Sequence, residues 1–141
     1  MSKIYKKYLE LKSKNSNENL VYLFKSGIFF IFVDNDAKIM SNLLHLKICN
    51  LNDKIIKCGF PTSQLEKYLS FIKLTGYEVQ IIDSDFTYTS SNYLYNESLK
   101  ELACYVNSID IDSLSVGEAY ELLSTIKNKF EAVERSITSN E

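Results

Sequence analysis

The sequence predicts an α/β protein: a mixed β-sheet flanked by helices, followed by a C-terminal helical hairpin. Three observations predict it. Short apolar runs rich in β-branched and aromatic residues occur in pairs separated by polar or glycine-containing turns, the pattern of adjacent strands. Segments of helical period lie between those pairs, and helices interleaved with strands belong on the faces of a sheet. Beyond a polar stretch from Asp83 to Asn92 only helical periods remain.

In chain order, Ile4, Tyr5, Tyr8, Leu9 and Leu11 recur at helical spacing among lysines, which predicts an amphipathic helix over about 3–13. Leu20 to Phe24 and Ile28 to Val33 then read as two strands joined by Lys25-Ser26-Gly27. The second is apolar throughout, so it should be covered on both faces. Asp34 or Asn35 is placed to cap a helix whose buried stripe is Ala37, Ile39, Met40, Leu43 and Leu44. Leu46 to Cys49 and Ile55 to Cys58 bracket a polar turn and read as a second strand pair, closed by Gly59-Phe60-Pro61-Thr62. Ser63 with Glu66 has the spacing of a capping box, Leu65, Tyr68, Leu69 and Ile72 make the next stripe, and Gly76 suits its C-cap. Tyr77, Val79 and Ile81 alternate with polar residues as a final strand. Residues 85–92 are expected to be a linker between a domain at 1–84 and a hairpin at 93–141. In that hairpin one stripe is Leu99, Leu102, Ala103 and Val106. The other, after a capping box at Ser115 and Glu118, is Ala119, Leu122, Leu123, Ile126 and Phe130.

Composition narrows the function classes. With 141 residues, 45% hydrophobic and 24% charged, the chain can bury one core of ordinary size. No apolar run approaches the roughly 20 residues that span a bilayer, and no apolar segment follows the basic N-terminus, so the expectation is a cytoplasmic chain with no membrane association. Cys49, Cys58 and Cys104 are odd in number and irregularly spaced, and read as free thiols. Charge divides along the chain. Through Asn92 there are twelve lysines against nine acids, net +3; from Tyr93 onward four basic residues face nine acids, net −5. The single arginine, Arg135, lies in the acidic part, and that shortage disfavours arginine-fork reading of base edges.

Catalytic and metal readings find little support. His45, Cys49 and Cys58 fit no zinc spacing, and the pairs Asp34/Asp36, Asp83/Asp85 and Asp110/Asp112 sit at element ends where Asp caps helices and shapes turns. No enzymatic activity, metal or cofactor is expected.

Several strings, taken in order, resemble one known family. Tyr8-Leu9-Glu10-Leu11-Lys12, Lys25-Ser26-Gly27-Ile28-Phe29-Phe30-Ile31-Phe32, Asp36-Ala37-Lys38, Cys58-Gly59-Phe60-Pro61, Leu65-Glu66-Lys67-Tyr68-Leu69 and Gly76-Tyr77-Glu78-Val79 resemble the N-terminal mismatch-recognition domain of MutS, over about residues 4–83. The segment from Ile109 to Ala119, with Leu122-Leu123 and Ile126-Lys127, resembles the extreme C-terminal helical element of that family, which is associated there with self-assembly. No Gly-x-x-x-x-Gly-Lys-Ser/Thr phosphate loop occurs in these 141 residues.

The resemblance implies a DNA-binding surface. The family's reading residues are a Phe that stacks on the mispaired base and a Glu two positions later that hydrogen-bonds it. They map to Phe29 and Ile31, one face of one strand. Isoleucine carries no hydrogen-bonding group, so the polar half of that reading is absent. Lys25 matches a basic position of the family's strand, and Lys7 stands on the lysine-rich first helix. For Phe29 a core aromatic and an exposed wedge both fit the sequence; for the lysines, a solvated helix face and a phosphate track both fit. Two functions follow: a module that engages mismatched or distorted duplex DNA, or a protein-interaction module that kept the fold and lost mismatch reading. The amphipathic C-terminal helices add an expectation of homo-oligomerisation.

Overall fold

The computed structural model describes residues 2–139, which form two compact units divided after Ser90. The first unit begins with helix α1 (Lys3–Lys14), whose N-terminus is capped by the Ser2 hydroxyl accepting from the Tyr5 N–H at 3.1 Å. Strands β1 (Leu20–Ser26) and β2 (Phe29–Val33) follow, then helix α2 (Asp34–Leu44). A two-residue strand β3 (Cys49–Asn50) and strand β4 (Ile56–Pro61) lead into a 3-10 turn and helix α3 (Leu65–Thr75). Strands β5 (Glu78–Asp83) and β6 (Phe86–Thr89) complete the unit.

These strands make one six-stranded sheet in the order β3-β4-β2-β1-β5-β6. Only the β1–β5 pair is parallel, so the sheet is mixed. Strand alternation sorts the apolar residues between two faces. On one face Leu20, Tyr22, Phe24, Ile31, Val33 and Ile82 form a core cluster with Tyr8, and Ile4, Tyr5 and Leu11 of α1 pack against it. On the other face Phe30 and Phe60 lie 5.9 Å apart between ring centroids, and Phe60 stacks on Tyr68 of α3 at 4.3 Å. The buried Cys58 thiol points at the Ala37 carbonyl of α2 on the same side, 3.5 Å away, and burial pushes that thiol's pKa up to about 12. The sheet is thus covered on both faces, as the unbroken apolar run of β2 requires.

Four local expectations are corrected. Residues 85–92 are not a linker: Asp83 pairs with Phe86 across a two-residue turn, β6 occupies Phe86–Thr89, and α4 begins at Ser90. A mostly exposed strand suffices there because it lies at the sheet edge. Gly59-Phe60-Pro61 continues β4 instead of closing it, because Phe60 pairs with Phe30 and Gly59 with Ile31. Ser63 makes no capping box; the chain enters α3 through a 3-10 turn anchored by the Thr62 N–H donating to the Ile28 carbonyl at 2.8 Å. Neither Asp34 nor Asn35 caps α2. Asp34 takes a positive φ of 53° that turns the chain directly from strand to helix, while Asp36 points inward.

Asp36 holds three elements together. Beyond the Phe24–Ile31 pair, β1 and β2 have no further partnered residues, and the Tyr22 N–H donates instead to Asp36 Oδ2 at 2.9 Å. Asp36 Oδ1 lies 2.9 Å from Lys12 Nζ of α1. That contact is an ion pair without an aligned hydrogen bond; the ammonium's aligned bond goes to the Leu20 carbonyl at 3.0 Å. The same Nζ sits 5.6 and 5.3 Å from the ring centres of Tyr8 and Tyr22. Burial raises the Asp36 carboxyl above its usual range, against the Tyr22 and Lys12 contacts that lower it.

The second unit contains helix α4 (Ser90–Asn107) and helix α5 (Val116–Ser139). At the start of α5 the cap half of the expected capping box is present: the Glu118 N–H donates to Ser115 Oγ at 3.1 Å, and that hydroxyl in turn donates to Glu118 Oε1 at 3.0 Å. Lys129 Nζ of α5 lies 4.6 Å from the Tyr105 ring centre of α4. Among the described residues no helix is long and apolar enough to cross a membrane.

Removing the cation should expose the cost of the buried carboxylate. Lys12→Met is expected to lower unfolding stability by about 3 kcal/mol at neutral pH, near the lower end for a broken buried pair because Lys12 remains 29% exposed. Because the folded-state pKa of Asp36 is raised, the native state binds more protons than the unfolded chain. Its contribution is most favourable below the ordinary carboxylate value of 3.8 and is lost as pH rises through the shifted value. Asp36→Asn is therefore expected to flatten the stability profile in that window, as read by urea unfolding at a series of pH values.

Candidate nucleic-acid interface

The β1–β2 hairpin reverses over Gly27 and Ile28, between the paired residues Ser26 and Phe29. Gly27 has φ +60° and Ile28 has none of that sign, the pattern of a type II′ turn, which favours glycine at its first central position. The turn projects two apolar side chains outward: Ile28 is 72% exposed and Phe29 47%. Phe29 is flanked by Ser26 on one side and Pro61 on the other, and the Thr62 bond to the Ile28 carbonyl ties the tip to the start of α3. The ring thus stands at the open end of a strand whose other four residues are buried.

Ile31 does not join it. Its side chain is on the same face but only 7% exposed, within the cluster under α1. Gly59 explains how closely the strands are packed there: a Cβ at that position would strike the Phe30 carbonyl oxygen and crowd Ile31 Cγ2. The expected two-residue reading face is therefore corrected to one exposed ring above one buried aliphatic. An apolar side chain gains more from the core than from water, and α1 supplies the cover.

The lysines divide differently. Lys25 pairs with Phe30 in register and so faces away from Phe29, with its Nζ 3.7 Å from Asp83 Oδ2. Lys25 and Lys7 nevertheless line one cleft of about 410 Å³, together with Lys3, Ile4, Gly27, Asp83 and Ser84. Phe24 and Ile82 lie at its base. Lys3 and Lys7 both belong to the lysine-rich helix for which the sequence allows a phosphate track, but only the fold brings Ser84 beside them.

The remaining titratable groups do not assemble a second site. Among the described residues no group of three His, Cys, Asp or Glu is arranged to hold a metal ion. His45 adopts the left-handed conformation that ends α2, with φ 57° and ψ 42°.

Comparison with known proteins bears directly on this hairpin. The family model described as MutS domain I matches residues 2–107. The chain belongs to the MutS domain I family. The match begins near the N-terminal end of α1 and runs on through β6 and α4, farther than the resemblance over residues 4–83. The chain is also similar to the DNA mismatch repair protein MutS of Clostridioides difficile (strain 630), 29% identical over 85 residues. That alignment covers 57% of this chain and 9% of the MutS protein, so the chain spans a small fraction of that relative's length. Helix α5 lies beyond the matched residues.

The two neighbouring phenylalanines of β2 should behave oppositely on truncation. Phe30→Ala is expected to cost about 3–5 kcal/mol, as for a fully buried aromatic, whereas Phe29→Ala should cost no more than about 1.5 kcal/mol. Urea denaturation of the two variants checks the placement. Equal losses would mean that Phe29 is a core residue.

Proposed function

We propose that this chain is a non-catalytic DNA-contacting module of the MutS domain I family, which engages mismatched or otherwise distorted duplexes through the tip of its β1–β2 hairpin. The observation that carries the reading is Phe29, half exposed at the end of a rigid strand and adjoining a turn that also borders the lysine-lined cleft. An aromatic ring held this way can enter a weakened base step, and stacking contributes roughly 1–3 kcal/mol per base. Lys7 and Lys25 supply charge for the phosphates.

Ile31 sets the limit of that recognition. It is buried and apolar, so the wedge strand offers no polar group to a particular mispair, and the module responds to ease of unstacking more than to base identity. The same observation favours the second reading, a protein-interaction module that kept the fold, and duplex binding separates the two. In a mobility shift, bulged or mismatched DNA is expected to bind more tightly than homoduplex. Phe29→Ala should weaken the distorted complex by about tenfold, the equivalent of about 1.4 kcal/mol. Affinity should fall with salt at a log–log slope of about −2 to −3, the size expected for two or three neutralised phosphates. No duplex affinity at moderate salt would favour the protein-interaction reading.

We also propose that α5 mediates homo-oligomerisation. Val116, Ala119, Leu123, Ile126, Phe130 and Val133 recur at alternating spacings of three and four, the seam of a coiled coil, and Val116, Leu123 and Phe130 are exposed. Leu123 is 67% exposed, so Leu123→Asp should leave the fold intact while lowering the mass measured by light scattering. An unchanged mass would remove α5 from the assembly.

A further inference from the structure

We infer that Ile28 is a second apolar contact of the hairpin tip, which packs on the base and sugar edges beside the step that Phe29 enters and so sets the preference for distorted duplexes. The inference rests on the proposed DNA-contacting role and names a further residue that carries it. Three features support it. Ile28 is 72% exposed against 47% for Phe29, and it lies outside the core cluster under α1. Its turn does not call for an aliphatic side chain. With glycine at the first central position, the second is commonly Asn, Asp or Ser, whose polar groups meet water and the local backbone. Isoleucine there exposes apolar area and gains little cover from the fold. The residue is also held in place. Its carbonyl accepts from the Thr62 N–H at 2.8 Å, which ties the tip to the 3-10 turn Thr62–Gln64, and a β-branched side chain has few χ1 states to lose on contact.

The surroundings suit a duplex. Residues two apart share one strand face, whereas Ile28 and Phe29 are adjacent and leave the backbone in different directions. The ring can therefore occupy a base step while the aliphatic covers its rim, and both side-chain types serve as wedges where stacking is weak. Residues 25–29 and 61–64 contain no acidic side chain, so a phosphate backbone meets no like charge within the two segments that form the tip. The acids of the β5–β6 turn, Asp83 and Asp85, belong to the hairpin on the far side of β1, and Asp83 is paired with Lys25 at 3.7 Å. With Ile31 buried, apolar contact area at the tip takes the place of a hydrogen bond to one particular mispair.

Fluorescence-anisotropy titration of the full chain with a homoduplex and with a duplex carrying a single-nucleotide bulge, alongside urea unfolding, tests the assignment. Ile28→Asn is expected to weaken binding of the bulged duplex by about fivefold to tenfold and of the homoduplex by less than about twofold. Its unfolding midpoint should equal or exceed the parent's, because Asn suits the turn. Ile28→Leu should hold the bulged-duplex affinity within about twofold of the parent, since it keeps the apolar area. The salt slope should be the same in all three proteins, because Ile28 neutralises no phosphate. Undiminished bulged-duplex affinity in Ile28→Asn, with Phe29→Ala still weakening it, would overturn the inference and leave the DNA-contacting role standing. Equal losses on the two duplexes would overturn it as well, making Ile28 a general contact. So would a loss that follows a lowered unfolding midpoint, which would assign Ile28 to the fold. A parent chain that binds neither duplex would end both the inference and the role it rests on.

Discussion

The Asp36 carboxylate is the constraint on which the first unit depends. Where β1 and β2 part beyond Phe24 and Ile31, the Tyr22 N–H faces the interior, and an unpaired backbone donor there would cost as much as a lost hydrogen bond. Asp36 satisfies it from the first turn of α2, which is reached directly from β2 because Asp34 accepts a positive φ. A buried charge demands a counterion, and Lys12 reaches down from α1 to provide it. One side chain thereby fixes a strand, the helix on one face and the helix on the other.

That arrangement determines what the hairpin can present. With α1 drawn onto the sheet by Lys12, Ile31 and Phe24 are covered; α2 and α3 cover Phe30, Phe32 and Phe60 from the other side. Of the five residues of β2 only Phe29, next to the Gly27 turn, is left exposed. Gly59 keeps the neighbouring strand close enough to hold β2 in register.

The charge asymmetry along the chain follows the division into two units. Lys3, Lys7 and Lys25 line the cleft of the first unit, whereas the acidic excess lies in the second, where four basic residues face nine acids from Tyr93 onward.

What the sequence determined by itself was whatever depends on neighbours in the chain. The periods of α1, α2, α3 and α5, the two strands around Gly27, the Gly76 cap and the Ser115 cap of α5 are local, and all are present. The tertiary structure decided the rest, because pairing and burial are long-range quantities. Residues 86–89 read as a polar linker until β5 offered them an edge, and Asp36 read as a helix-end acid until Tyr22 and Lys12 closed around it. Phe29 and Ile31 are indistinguishable by pattern, two apolar residues on one face of one strand. Their opposite fates follow from which of them the core cluster under α1 takes in, and no spacing in the chain encodes that.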